Sequence, residues 1–175
     1  MQLRELEQKD ATLMLEWMRD DYVVHDLATD FGSKTMEDCL RFIEYARDQY
    51  DNFESCKDLH LAIIDDSDEY MGTVSLKNIN RSNRTSEFAI TIRAGAMGKG
   101  FAKFAMDTIL NIGFSDARIG SNVIYWCVDK KNTRAQRFYN KHNYTIIEAD
   151  GYMLKDYEDL INKGAELIWY AVSRK

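Results

Sequence analysis

The segment around residue 95 constrains the fold most, because its periodicity changes within a few residues. Phe88, Ile90 and Ile92 alternate along the chain, which predicts a β-strand. A glycine-rich stretch at 95–100 follows, and then a helix is predicted from about Gly98 to Phe114. Glycines in such a loop let the backbone approach a ligand and point N–H groups outward at the helix start. A helix N-terminus of this kind attracts anions, most simply phosphate.

The spacing of the loop excludes two common phosphate-binding motifs. A Walker loop needs GxxxxGK followed by Ser or Thr, and Gly95 lies too close to Gly98 for that. A dinucleotide fingerprint would need Gly or Ala at position 103, where this chain has Lys103. Taken alone, the loop could bind phosphate in another way, with Lys99 and Lys103 adding positive charge, or it could be a structural turn before a helix.

The rest of the chain predicts one mixed α/β domain over residues 1–175, with helices packed on a central sheet. No proline, Gly/Ser-rich linker or internal repeat marks a boundary. The apolar fraction of 45% and the charged fraction of 30% are typical of a soluble globular protein. The predicted order is a strand near Leu3, a helix capped by Asp10, a helix with a capping box at 35–38, a hairpin of 59–64 and 70–78, the strand and helix around the loop, a buried strand 123–128, a short helix capped by Asn132, and closing strands at 144–148 and 166–172.

Charge and cysteine usage exclude several classes of protein. The net charge of −6 argues against nucleic acid as a partner. Residues 1–70 hold 7 basic and 19 acidic residues, whereas residues 71–175 hold 16 and 10. This asymmetry suits a cationic ligand beside an anionic one, or it reflects solvated surfaces. The odd, widely spaced cysteines predict neither disulfides nor zinc, and the scattered histidines predict no metal site. Without an apolar span or signal core, we expect no membrane contact and a cytoplasmic location.

A second motif lies in residues 125–144. It reads as a strand, an Asn132 cap and a short helix that ends in Phe138-Tyr139. Together with the Gly98-x-Gly100 loop before it, this motif resembles the GNAT superfamily of acyl-CoA-dependent N-acyltransferases. The likeness covers nearly the whole chain and is strongest to the branch related to ribosomal-protein N-terminal acetyltransferases and amino-sugar acetyltransferases. It implies a GNAT fold, a twisted mixed sheet of about seven strands with about four helices, and acetyl-CoA as co-substrate without a metal.

Two positions depart from the family pattern. The family loop usually opens on Gln or Arg, where this chain has Gly95, and no arginine occupies 96 or 97. Phosphates would then rely on backbone N–H groups, the helix dipole and lysines. Asn143 replaces the glycine that usually follows the short helix. Asn is the non-glycine residue that best tolerates the left-handed conformation of a helix C-cap, so we expect it there.

The resemblance implies where the cofactor would lie. The pyrophosphate would sit on the loop and the helix start, and the pantetheine arm would pair with free backbone groups of the preceding strand. Asn132 is either a plain cap or a cap that also touches the cofactor, and Arg134 lies either on a solvated helix face or at the 3′-phosphate. The predicted cofactor-binding residues are Ile90, Thr91, Ile92, Gly95, Met97, Gly98, Lys99, Gly100, Ala102, Lys103, Asn132, Arg134 and Phe138.

Two catalytic residues are predicted on the same basis. Attack of a neutral amine on the thioester creates a thiolate, and the phenol of Tyr139 could protonate it. Its alternative is a packing role beside Phe138. Glu87 could accept the proton of the amine, directly or through water, or it could be an exposed charge at the strand end. We expect direct attack in a ternary complex, with the oxyanion held by backbone N–H groups. Cys127 is expected to be a buried structural cysteine.

The acceptor remains open at the level of sequence. We expect its pocket between residues 20–35 and 75–84, and the acidic excess of residues 1–70 suits an ammonium, with Asp26 and Asp30 as candidates. The acceptor would be a protein N-terminal amine or a small-molecule amine such as an amino sugar, a polyamine or an antibiotic. The rival hypotheses are a non-catalytic acyl-CoA-binding module and a partner-binding domain or homodimer with residues 168–170 as an edge contact.

Overall fold

The fold is a single seven-stranded sheet with helices on both faces. The computed structural model describes residues 1–27 and 30–174. The strands are β1 (Gln2–Glu5), β2 (Leu59–Ile64), β3 (Tyr70–Asn80), β4 (Thr85–Ile92), β5 (Val123–Asp129), β6 (Thr145–Ile147) and β7 (Leu167–Ser173). The helices are α1 (Ala11–Met18), α2 (Asp21–Val24), α3 (Met36–Asp51), α4 (Phe101–Ser115), α5 (Thr133–Lys141), α6 (Gly151–Lys155) and α7 (Glu158–Asn162).

The strand order is β1-β2-β3-β4-β5-β7-β6. Every neighbouring pair is antiparallel except β4 and β5, which run parallel because α4 connects them as a crossover. This arrangement confirms the predicted mixed GNAT-type sheet. Four helices have eight or more residues, as the sequence predicts, and the described chain adds the short α2, α6 and α7.

One face of the sheet is apolar and is covered by α4 and α5. Its strands contribute alternate residues such as Leu76, Phe88, Ile124 and Trp126, all buried. Met106, Ile109 and other apolar side chains of α4 pack onto them. We call this side the apolar face.

The other face carries buried polar residues. His60, Ser75 and Glu87 point to this side, and their side chains are 6% exposed or less. Helices α1 and α3 cover its β1–β3 half, and the segment 148–163 covers the half near β5 and β7. We call this side the polar face.

Local sequence signals are confirmed at two helix ends. Thr35 and Asp38 form the predicted reciprocal capping box of α3. Asn143 has φ +57°, the left-handed conformation predicted for it after α5.

The prediction that the Asp10 side chain caps α1 is wrong, because its carboxylate makes no hydrogen bond to the helix N-terminus. Asp10 precedes α1, but its carboxylate binds the Arg4 guanidinium through two bonds of 2.8 Å because a buried carboxylate needs a charged partner.

The C-terminal strand differs from one sequence hypothesis. Residues 168–170 belong to β7, which lies between β5 and β6 and not at an edge. Trp169 and Tyr170 are buried, so the predicted edge contact through these residues is wrong. In the described part of the chain, no helix has the length and apolar composition needed to cross a membrane.

Candidate active site

A gap opens between the two parallel strands in the middle of the sheet. Pairing of β4 with β5 begins at Thr85 with Val123 and stops at Glu87 with Tyr125, although both strands continue. Beyond that point β5 pairs on with β7 alone. The strands therefore leave a cleft along the second half of β4.

The backbone of this cleft offers hydrogen bonds. The N–H of Arg93 donates to the carbonyl of Met71 on β3 at 3.0 Å. Because backbone groups alternate in direction along a strand, the N–H and C=O of Ile90 and Ile92 point away from β3, into the cleft. Those of Thr91 point to β3, where it pairs with Thr73. The predicted pantetheine contact through free backbone groups thus has a geometric basis at Ile90 and Ile92.

The glycine loop ends where α4 begins. Gly98 and Gly100 have φ of +74° and +90°, which glycine adopts without strain. Among the described residues, a Cβ atom added at Gly98 would meet no atom within 4 Å, and one added at Gly100 would meet the Met1 methyl at 3.7 Å. The first helical bond runs from Phe104 to the carbonyl of Gly100, so the N–H groups of residues 101–103 are available to a ligand. This open cradle fits a pyrophosphate.

The indole of Trp126 adds an orphaned donor beside the cleft. Trp126 follows the last residue of β5 that pairs with β4. Its Nε1 is buried and has no acceptor among residues 1–27 and 30–174. A buried N–H without a partner is costly, so a bound acceptor near this indole would be favoured. The cleft and the loop together fit an extended amide-bearing cofactor.

The basic side chains predicted around the loop have partners within the protein. Lys103 forms an ion pair with Asp107, one turn along α4. Arg134 donates to the Tyr22 carbonyl at 2.7 Å and to Asp26 at 3.1 Å, and it contacts the Met97 sulfur at 2.9 Å. Arg134 therefore ties the acidic α2 region to α5.

The remaining predicted cofactor residues lie around the same cleft. Asn132 caps α5, since its Oδ1 accepts from the N–H of Ala135 at 2.9 Å, and its amide also donates to the Asp26 carbonyl at 3.3 Å. Phe138 packs edge-on against Tyr139 at 5.4 Å. Gly95 lies in a short 3₁₀ turn before the loop, and Lys99 and Ala102 flank Gly100.

Tyr139 lies under the apolar face, in an aromatic cluster. Its ring is 5.2 Å from that of Trp126 and 5.0 Å from that of Tyr170. Burial raises the pKa of Tyr139, with the neighbouring Tyr170 and Tyr144 adding to the effect. Its hydroxyl makes no hydrogen bond to any residue that the structure describes, which leaves a protonated phenol available as a donor.

Glu87 lies on the polar face and is 3% exposed. Its Oε1 accepts from Lys77 Nζ at 2.8 Å and from the Tyr157 hydroxyl, and its Oε2 accepts from Asn78 Nδ2 at 2.9 Å. The alternative of an exposed strand-end charge is therefore wrong, because neighbouring strands and the 148–163 segment cover this position. Glu87 is a buried, fully partnered carboxylate.

Tyr139 and Glu87 approach the sheet from opposite faces. Phe88 and Trp126 lie on the same face as Tyr139, with rings 5.4 Å apart, at the start of the cleft. Glu87 and Tyr125 form the last pair before it and point to the polar face. The phenol of Tyr139 and the carboxylate of Glu87 therefore lie on opposite faces of the sheet, near the start of the cleft.

Other titratable groups on the polar face are held neutral. His60 bonds Ser75 Oγ through Nδ1 at 2.7 Å, and burial lowers its pKa to about 4. Cys127 is half-buried, and burial raises the pKa of its thiol to about 12, in line with a structural cysteine. Within the described ranges, no group of three His, Cys, Asp or Glu side chains could hold a metal ion.

Two acidic residues of the predicted acceptor pocket, Asp26 and Asp30, lie among the described residues. Ala28 and Thr29 of the predicted 20–35 connection lie outside the described residues. Asp26 is bound by His25 at 3.0 Å and by Arg134, which lower the pKa of its carboxyl, with the His25 bond the larger cause. Asp30 accepts from the N–H of Gly32 at 3.0 Å.

Comparison with known proteins decides the family. The model of the acetyltransferase (GNAT) domain matches residues 1–145. The chain belongs to this family. The relatives include the spermidine N(1)-acetyltransferase of Escherichia coli (strain K12), 30% identical over 105 residues, or 60% of this chain and 55% of that protein. The chain thus aligns with about half the length of that relative. The uncharacterized N-acetyltransferase p20 of Bacillus licheniformis is 25% identical over 89% of this chain and 83% of its own.

Solved structures of the family share the fold. The spermidine N-acetyltransferase of Vibrio cholerae, in complex with CoA and spermine, has a TM-score of 0.74 at 18% identity, covering 98% of this chain and 94% of its own. The Microcin C7 self-immunity acetyltransferase, in complex with acetyl-CoA and AMP, has a TM-score of 0.75 at 18% identity, covering 98% and 91%. The predicted GNAT fold is confirmed, as is acetyl-CoA as the family's co-substrate. None of these relatives is named as a ribosomal-protein acetyltransferase, so they establish the GNAT family and not that branch.

Sequence reasoning missed the partners of Glu87. Lys77 lies within β3, and Asn78 lies at the irregularity of that strand. Tyr157 lies in a stretch of sequence without a clear helix or strand pattern. Only the alternation of β3 carried a signal, since it places Lys77 on the same face as Glu87.

Proposed function

We propose that this GNAT-family chain transfers the acetyl group of acetyl-CoA to a primary amine of a small, polyamine-type molecule. The cleft between β4 and β5 carries the proposal, because Tyr139 lies near its start on one face of the sheet and Glu87 lies near its start on the other. The open glycine loop would hold the pyrophosphate, and Ile90 and Ile92 would pair with the pantetheine amides.

The proposed reaction is direct attack in a ternary complex. The ammonium of the acceptor loses a proton to Glu87, directly or through water. The amine then forms the new C–N bond as the C–S bond of the thioester breaks. The phenol of Tyr139 donates a proton to the departing sulfur and regains one when the acylated nitrogen loses its second proton through solvent. Glu87 releases the first proton to solvent, so that the products are an acetylated amine, CoA thiol and one net proton.

A polyamine-type acceptor is supported by two independent observations. Residues 1–70 carry a net charge of 7 − 19 = −12, which attracts a polycation. Relatives of this chain include spermidine acetyltransferases. A protein N-terminal amine, an amino sugar or an antibiotic amine are the alternatives that the acceptor screen must separate.

The first test is acetyl-CoA binding by calorimetry. We expect micromolar binding by the wild type and its loss in the double variant Gly98→Glu/Gly100→Glu, because two carboxylates fill the cradle and repel phosphate. Asn111→Glu adds one carboxylate at an exposed position of α4 away from the loop and should bind as the wild type does. A folded wild type without binding would contradict the cofactor site.

The second test is an amine screen with detection of free thiol. Spermidine, an amino sugar and a peptide with a free N-terminus are compared at equal concentration. Preferential turnover of spermidine supports the proposed acceptor, and preference for the peptide would move it to a protein N-terminus. Tight acetyl-CoA binding without turnover on any amine would indicate a non-catalytic acyl-CoA-binding module.

Two further proposals concern the setting of the reaction. We propose a cytoplasmic location, which the three free cysteines support. A homodimer stays a proposal that light scattering of the purified protein would test.

A further inference from the structure

We propose that Tyr157 and Lys77 are positioning residues that hold the Glu87 carboxylate, as an anion in one orientation, at the start of the cleft. The inference rests on the proposed function, because it concerns the carboxylate that would take the proton of the acceptor. It assigns a role to the segment 148–163, which lies outside the part of the chain that the family model matches.

The first argument is the way in which Glu87 is buried. A carboxylate with 3% exposure is stable as an anion only when charged or polar donors replace water. Lys77, Tyr157 and Asn78 supply these donors, two on Oε1 and one on Oε2. The three donors fix the carboxylate plane, so any proton acceptor function of Glu87 depends on them.

The second argument is that Tyr157 is itself fixed by packing. Its ring lies edge-on against Trp169 of β7 at 5.2 Å, within the small core formed by Tyr125, Met153 and Trp169. Burial raises the pKa of its phenol, and the Glu87 charge raises it further. The hydroxyl therefore stays protonated and donates to the carboxylate over the whole neutral range.

The third argument is the charge of the pair. Lys77 and Glu87 are direct neighbours across β3 and β4, and the ammonium lies 2.8 Å from the carboxylate. The pair carries no net charge, so Glu87 gives no electrostatic attraction to a second ammonium. The affinity for the acceptor must come from other residues, so loss of Tyr157, which leaves the pair neutral, should change turnover and not acceptor binding.

Other titratable groups near Glu87 could contribute to the pH profile of turnover. Tyr125 and Cys127 face it from β5, and Asp156 reaches its partner Asn78 at 3.1 Å. Burial raises the pKa of the Tyr125 phenol and raises that of the Cys127 thiol to about 12, so both stay neutral in the range to be measured. Lys77 and Tyr157 bind the carboxylate directly, His60 lies near Lys77, and Asp58 accepts from the N–H of Asn78.

The test is the pH profile of turnover for Tyr157→Phe, with Tyr152→Phe as the matched control. Tyr152 lies on the same segment, is 41% exposed and packs against Tyr125 through its ring alone. The amine preferred by the wild type is the acceptor, and acetyl-CoA binding and melting temperature are measured in parallel. We expect Tyr157→Phe to lower kcat by about tenfold to a hundredfold, as for one hydrogen bond to a charged group.

The pH profile and the split of the constants distinguish positioning from simple stability. The acid limb of kcat/KM should move to higher pH in Tyr157→Phe, because the anionic carboxylate loses a donor, while acceptor KM and acetyl-CoA binding stay unchanged. Lys77→Met should shift the limb in the same direction, and Lys77→Arg should restore most of the turnover because it keeps the cation.

Two outcomes would overturn the inference. An active wild type with an unaltered kcat and pH profile in Tyr157→Phe refutes the positioning role and leaves the proposed function intact. A wild type that binds acetyl-CoA but acetylates no amine refutes both.

Discussion

Both faces of the sheet are covered, but they differ in chemistry. Under α4 the strands present Leu76, Phe88, Ile124 and similar side chains, which need no partners beyond close packing. On the other side His60, Ser75 and Glu87 are buried among hydrogen bonds. Burying polar groups stabilises little and requires every donor and acceptor to be matched. The contrast separates a face built on apolar packing from a face that also buries hydrogen-bonded polar side chains.

Tyr139 is the exception on the apolar face, and its replacement should have the largest effect. Tyr139→Phe removes a phenol that makes no hydrogen bond to the described chain, so the fold should be kept. We expect kcat to fall by about 10²–10⁴-fold, the usual contribution of a general acid. Steady-state kinetics with free-thiol detection would measure it. Tyr170→Phe removes a second phenol from the same cluster and serves as control. Equal kinetics in the two variants would indicate that Tyr139 has only a packing role.

A cavity on the apolar face should reduce stability without changing the chemistry. Ile109 on α4 is fully buried, and Ile109→Ala should lower the free energy of unfolding by about 2–5 kcal/mol. Urea denaturation would measure this change. Ile161→Ala on α7, where the side chain is 38% exposed, should cost much less. The kcat of the folded Ile109→Ala protein should match that of the wild type. A large loss of kcat would contradict the view that this part of the apolar face contributes to stability alone.

The polar face should make stability depend on pH, and this effect is the smallest. The pKa of His60 is about 4 in the fold and about 6.5 in an unfolded chain. The unfolded state therefore binds the proton more tightly between these values, so stability is lost as pH falls from about 6.5 to about 4. The loss should reach up to about 3 kcal/mol for this residue.

A matched variant isolates this contribution from that of the carboxylates. His60→Gln should lose less stability than the wild type between pH 6.5 and 4. Urea denaturation at several pH values would show the difference. Parallel curves for wild type and His60→Gln would show that the polar face does not hold a neutral histidine.

Sequence reasoning succeeded where a signal is local. The Thr35 capping box, the left-handed Asn143 and the strand–loop–helix at 88–114 each depend on residues a few positions apart. It failed at Asp10, whose carboxylate turned to Arg4 of another element, and at residues 168–170, whose apparent edge position is closed by β6. In both places a non-local partner decided the outcome.

The sequence by itself determined the family, the order of the main elements and the glycine loop. Helix caps, strand alternation and positive-φ glycines depend on residues that are close in sequence. Only the tertiary structure decided what surrounds Glu87. Its partners come from β3 and from a segment 70 residues later, and no local pattern links Glu87 to Tyr157. A buried carboxylate is stabilised by whichever donors the fold brings to it, and that selection depends on packing across the sheet.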